Sequence, residues 1–184
     1  REMTCPSNIP GGFAKGACLL WLSYLNPSTR YFEWGSGFTT RTADALVKDS
    51  VSIEGSKSWH DSMRQFNFSR TQLVYVDIGK TGSYSWPKNS SRGHEYIHSV
   101  RKYGTRDVIL VDGRWRVACA LASVPRLSRT GRMLVHDFQR AEYHVLLKHF
   151  ELETRVDNLA VLVPRRRSGH ADVLASYETD AHRA

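Results

Sequence analysis

At 184 residues and 41% hydrophobic content, the chain is long enough to bury one core and is most simply a single globular domain. No apolar stretch approaches the roughly 20 residues that span a bilayer, and nothing at the start reads as a signal peptide, so a cytoplasmic place without membrane contact is the default expectation. A formal charge of +8 and a sequence pI near 9.6 suit acidic or phosphate-bearing partners such as nucleic acid or anionic glycans.

Residues 12–25 carry Ala14, Ala17, Cys18, Trp21, Leu22 and Leu25 at helical spacing, and Asn26-Pro27 stops that helix. A short strand at 30–33 follows, then a glycine turn and a helix over 39–47. The pattern repeats with a strand at 51–54 and a helix placing Trp59, Met63 and Phe66 on one face. A third strand spans 72–77, ahead of an irregular stretch over 78–93 rich in Gly, Ser, Asn and Pro, and loops this long in compact domains usually serve function or are disordered. A helix through Tyr96, Ile97 and Val100 leads to a strand at 107–111, then a helix at 116–123 and a strand at 132–136. Tyr143, Leu146, Leu147 and Phe150 mark a further helix, and runs at 152–156 and 159–163 flank Asp157-Asn158 as an antiparallel hairpin.

Alternating strands and helices closed by a hairpin predict an α/β three-layer sandwich around a mostly parallel, seven-stranded sheet. Residues 1–164 form the domain, and 165–184, opening on Arg165-Arg166-Arg167, read as a polar basic tail. The three cysteines show no Cys-x-x-Cys spacing, so they give neither a zinc ribbon nor a disulfide framework. Cys18 and Cys119 read as small core residues. The triplets beginning at Asn67 and Asn89 have the glycosylation pattern and carry no weight without a secretory context.

In an open α/β sheet, ligands bind beyond the carboxyl ends of the strands. The five strands end in Glu33 with Gly35-x-Gly37, Glu54, Asp77, Asp112-Gly113 and His136-Asp137, an acid at the same edge each time. A sheet needs no such cluster for stability. Glycines directly after a strand let a ligand approach the backbone, and acids on two neighbouring strand ends suit a cofactor with an ammonium group and a ribose diol. Glu54 follows Glu33 by 21 positions, near the spacing of about 20 expected for a ribose-binding acid.

Glu33-Trp34-Gly35-Ser36-Gly37 resembles the first motif of the class I methyltransferases, acid-x-Gly-x-Gly. Val51-Ser52-Ile53-Glu54 resembles their second-strand motif, whose acid holds the ribose of S-adenosylmethionine. The resemblance covers most of 15–164. It implies S-adenosylmethionine as cofactor, held by Glu33, Gly35, Ser36, Gly37, Thr39, Thr40, Glu54, Gly55, Asp77 and Asp112. The segments Asp77-Ile78-Gly79-Lys80-Thr81-Gly82 and Val111-Asp112-Gly113-Arg114-Trp115-Arg116-Val117-Ala118 look like a bacterial and viral subgroup that methylates sugars and glycans. A nicotinamide-binding Gly-x-Gly-x-x-Gly turn is disfavoured because Thr40 stands at its third glycine, where Thr39 and Thr40 read better as a helix cap.

Methyl transfer to a sugar hydroxyl needs a general base, for which Asp112 is the first candidate, with Asp77, His136 and Asp137 competing. The structural alternative has Asp112 orienting the cofactor or capping the next helix. Asp112 and Asp137 match where metal-dependent oxygen methyltransferases keep carboxylates, but His136-Asp137-Phe138 departs from the usual Asp-Asp or Asp-Asn pair, so a divalent ion is not the favoured expectation. Arg114, Arg116, Tyr84 and Trp86 are candidates for holding a sugar or glycan acceptor. Trp34, His60, His144 and His149 read as packing or surface residues. A nucleic-acid methyltransferase, supported by the charge, and a non-catalytic cofactor-binding domain are the alternatives.

Overall fold

The structure, a computed structural model, describes residues 5, 12–83, 86–165 and 173–178. Seven strands form one sheet: β1 (Arg30–Trp34), β2 (Asp49–Glu54), β3 (Thr71–Tyr75), β4 (Arg106–Val111), β5 (Leu127–His136), β6 (Phe150–Val156) and β7 (Leu159–Pro164). Across the sheet they run β3-β2-β1-β4-β5-β7-β6. The first five are parallel, and β7 is antiparallel to both β5 and β6. This is the expected sheet, mostly parallel and closed by a hairpin.

The central strands are covered on both faces, so they carry apolar residues with little polar alternation. Phe32 lies in register between Val51 and Ile109, at the middle of the sheet. The pleat then sorts side chains into two cores. Phe32, Trp34, Ile53 and Ile109 face helices α4 (Gly93–His98) and α5 (Arg116–Ser123). Tyr31, Val108, Leu110 and Leu134 face α1 (Lys15–Ser23) and α2 (Phe38–Leu46). Helix, sheet and helix make the three layers. The turn at Asp157-Asn158 also anchors α1, because the Asp157 Oδ2 accepts from the Ala17 amide at 3.1 Å.

Several local expectations are corrected. β5 begins at Leu127, which pairs with Arg106 before a register shift carries the ladder to Val108 and Arg132. Residues 141–148 form a 3₁₀ helix whose three-residue period buries Tyr143 and Leu146 and leaves Leu147 exposed, while Phe150 opens β6. In the helix after β2, α3 (Lys57–Met63), Met63 is buried but Trp59 is exposed, and Phe66 falls in a 3₁₀ turn beyond it, exposed, with the Arg41 guanidinium 4.0 Å over its ring. Cys18 does belong to the core, yet it is bonded to Cys5 in a disulfide. Within the stretch read as a tail, Leu174 is buried in the larger core, whereas Arg166 and Arg167 lie outside the described residues.

Candidate active site

β1 is flanked by β2 on one side and β4 on the other, so the chain reverses its direction of travel across the sheet there. A crevice opens at such a switch point, at the carboxyl ends of the strands. Here it is a cleft of about 300 Å³. One wall is Gly35, Ser36, Glu54, Gly55, Trp59 and Ile78, and the other is Tyr96, Asp112, Gly113 and Arg114.

The two motif glycines serve different ends. Gly35 has φ +87°, and a Cβ there would approach the Asp112 carbonyl to 2.8 Å, so a glycine is required to pass β1's end beside β4's. Around Gly37 nothing lies within 4 Å of a built Cβ, so protein packing makes no such demand. Glu54 closes the floor. Its Oε2 accepts from the Ser36 amide at 3.0 Å and hydroxyl at 2.7 Å, and its Oε1 from the Ser56 amide at 2.7 Å. Of about four lone-pair sites on a carboxylate, three are thus engaged and about one is left for a ligand. Across the mouth, the half-exposed Trp59 donates from Nε1 to the Ser36 carbonyl at 2.7 Å, pinning an aromatic wall to the turn.

Glu33 is not on the cleft. The pleat that turns Phe32 and Trp34 to one core turns Tyr31 and Glu33 to the other. There Glu33 is fully buried and accepts from the Thr40 hydroxyl, from Ser52 at 2.8 Å and from Tyr31 at 2.9 Å. Burial pushes its carboxyl from 4.5 up to about 7 against those hydrogen bonds. Thr40 also accepts from the Gly37 amide at 2.8 Å, so Glu33, Thr40 and the turn are linked from beneath. Thr39 is buried at the start of α2 and lines no part of the cleft. Asp77 lies two residues beyond β3, exposed, where it caps its own turn through the Gly79 amide at 2.8 Å. That backbone bond holds its carboxyl below the usual range.

Of the four proposed proton-transfer residues, Asp112 lines the cleft and His136 and Asp137 stand behind it. The Asp112 Oδ1 is 2.7 Å from His136 Nδ1 and 3.1 Å from Arg116 Nη2. The Asn158 amide nitrogen stands 2.8 Å from His136 Nε2, and with that amide donating, the ring donates from Nδ1 to Asp112. His136 is buried, with Phe13 packed on its ring at 4.7 Å, so it acts through Asp112 and not on a ligand. Burial opposes ionisation of Asp112, but His136 and Arg116 outweigh it and hold the carboxyl below its ordinary value.

Arg116 does not reach an acceptor. Its buried guanidinium donates to the Gly113 carbonyl at 3.1 Å, the His136 carbonyl at 2.7 Å and Asp137 Oδ2 at 3.2 Å as well as pairing with Asp112. Asp137, at φ +57°, pairs also with Arg140 at 3.1 Å. Asp112, His136 and Asp137 are close enough to share an ion, but Arg116 already bridges the two carboxylates. A divalent ion there would have to displace a buried, fully hydrogen-bonded cation, so the residues do not fit one. Trp115, between the two arginines, has φ +49°, an uncommon backbone state for a bulky residue and one that marks functional turns.

Arg114 stays on the cleft, with its guanidinium 4.6 Å over the Trp86 ring. Tyr84 lies outside the described residues. The structure therefore brings Gly35, Ser36, Glu54, Gly55, Asp112 and Arg114 together, with Trp86 beside them, leaves Glu33, Thr39, Thr40, His136, Asp137 and Arg116 behind the walls, and puts Asp77 in an exposed turn. Trp59, Ile78 and Tyr96 line the cleft and were not singled out in the sequence. Trp59 had a signal, a large aromatic five residues past the strand-end acid on a short helix of polar residues.

No protein-family model and no curated protein matches the sequence. Among solved structures, a methyltransferase-like protein from Silicibacter pomeroyi matches at TM-score 0.73 and 27% identity, over 97% of each chain. A TehB-like SAM-dependent methyltransferase from Corynebacterium glutamicum matches at TM-score 0.52 and 15% identity, over 81% of this chain and 86% of its own. A candidate methyltransferase from Streptococcus mutans, in complex with SAH, matches at TM-score 0.53 and 12% identity, over 82% of this chain and 97% of its own. The fold is that of the class I methyltransferases. Among the described residues, no helix is long and apolar enough to cross a membrane.

Proposed function

We propose that the chain is an S-adenosylmethionine-dependent methyltransferase that methylates a carbohydrate hydroxyl. The observation that carries this reading is the cleft at the β1–β4 switch point, with Glu54 on one side and Asp112 on the other. Gly35, Ser36, Glu54 and Trp59 would hold the nucleoside end of the cofactor, with Glu54 accepting from a ribose hydroxyl and the indole flanking the base. Bound there, S-adenosylmethionine would supply an electrophilic methyl group to an acceptor oxygen beside Asp112, with S-adenosylhomocysteine as the neutral thioether product. The acceptor's proton passes to the Asp112 carboxylate, which His136 and Arg116 hold in place. The enzyme's main task is alignment of the two reactants, with proton removal second.

Arg114 and Trp86 at the same mouth support a sugar acceptor, since a cation and an aromatic face suit hydroxyl-rich rings or anionic sugars. The net charge of +8 favours a nucleic acid as the second reading. Incubating the chain with methyl-labelled S-adenosylmethionine and separate pools of oligosaccharides, nucleotides and RNA tests both. Label in the oligosaccharide pool is expected. Label confined to RNA supports the second reading, and no label in any pool counts against an enzyme of either kind.

A further inference from the structure

Away from the cleft, α4 reads His94-Glu95-Tyr96-Ile97-His98, which puts two imidazoles one helical turn apart on one face. Two histidines at this spacing are a recurrent transition-metal pair, and what makes a pair into a site is a third donor from elsewhere. The structure supplies one. Glu178, 80 residues on from His98, sets Oε1 at 2.6 Å from His98 Nε2 and Oε2 at 3.2 Å from His94 Nδ1. All three donor atoms lie within 4.8 Å of one another. Donors around a tetrahedral zinc ion at about 2.1 Å stand about 3.4 Å apart, so the carboxylate needs to draw back by less than an ångström from each ring to admit an ion.

We propose that His94, His98 and Glu178 form a binding site for a divalent transition-metal ion of the zinc class, which fastens the 173–178 segment to α4. Ligand chemistry and burial agree with this. The His98 side chain is only 10% exposed, so its ring is held in place facing the Glu178 carboxylate. His94 is 72% exposed, which leaves the site open to solvent and to an entering ion.

The site binds an ion and does not use it for hydrolysis. In peptidases with the His-Glu-x-x-His pattern, the glutamate works as a base beside the metal. Here Glu95 is exposed and pairs with Lys102 at 3.5 Å. The consequence lies in the link to the cleft. Tyr96 stands between the two histidines and lines the cleft wall, and Leu174 and Tyr177 of the stapled segment pack on the same core as Tyr96. Metal therefore orders the helix that backs the acceptor side.

Equilibrium dialysis of the metal-free chain against Zn²⁺, with thermal melts in parallel, tests this. Wild type is expected to bind one ion and to melt at a higher temperature with it. His94→Ala, at an exposed position, should leave the metal-free melt unchanged and weaken binding by more than the roughly 10–100-fold typical of losing an outer partner. Glu178→Gln should weaken binding likewise, whereas Asp137→Asn should keep the site intact. No stoichiometric binding by wild type, or binding lost in Asp137→Asn and kept in His94→Ala, would overturn the proposal.

Discussion

Glu33 is a carboxyl in a fully buried position with no cation paired to it among the described residues, and its removal should free stability that the wild type loses as pH rises. Its carboxyl is displaced from 4.5 to about 7 by burial. That gap corresponds to about 3 kcal/mol, at about 1.4 kcal/mol per tenfold change in proton affinity. Because the folded value is the higher one, the folded state holds the proton that the unfolded chain releases. Stability from this group is therefore full below about pH 4.5 and is lost as pH rises through about 7. Glu33→Gln mimics the protonated acid, and its carbonyl can keep both the Thr40 and the Ser52 hydroxyls as donors. Urea denaturation of both proteins at about pH 4 and about pH 8 reads the difference. The variant should gain about 3 kcal/mol on the wild type across that interval. A difference independent of pH would refute the reasoning, since it would mean that Glu33 ionises in the fold as readily as in water.

Three further outcomes follow from the network behind the cleft. Arg116→Met strips the shared cation from Asp112 and Asp137 and should cost about 3–5 kcal/mol in chemical denaturation, as breaking a buried ion pair does. Asp112→Asn keeps the shape but removes the proton acceptor, so turnover should fall by on the order of 10²–10⁴ while S-adenosylhomocysteine still binds in calorimetry. Turnover should need no added magnesium or manganese, because Arg116 occupies the place between Asp112 and Asp137; strict dependence on either ion would reverse that.

The order of elements was legible because each central strand is an apolar run bounded by glycine, proline or polar turns. The periods around Val108–Val111 and Val117–Leu121 admit one reading each. What lay hidden was direction within a strand. Reading Glu33 as a strand-end acid counted its position along the chain, whereas the pleat decides its face, and Phe32 and Trp34 on either side already pointed the other way. Asp77 misled for a different reason, since β3 ends at Tyr75 and the acid falls in the following loop. Arg116 has the composition of a surface helix residue, and only the left-handed turn at Trp115 brings it inward. The Cys5–Cys18 bond leaves no spacing signal at a separation of 13 residues. His94, His98 and Glu178 meet only because the 173–178 segment folds back on α4.

The central claim is that the cleft between Glu54 and Asp112 holds S-adenosylmethionine. Titrating S-adenosylhomocysteine into wild type and Glu54→Ala by calorimetry tests it most directly, with a nicotinamide dinucleotide as control. One site on the wild type, much weaker binding to Glu54→Ala and no heat from the dinucleotide are the results predicted. Tight binding of the dinucleotide, or equal binding of S-adenosylhomocysteine to both proteins, would contradict the account.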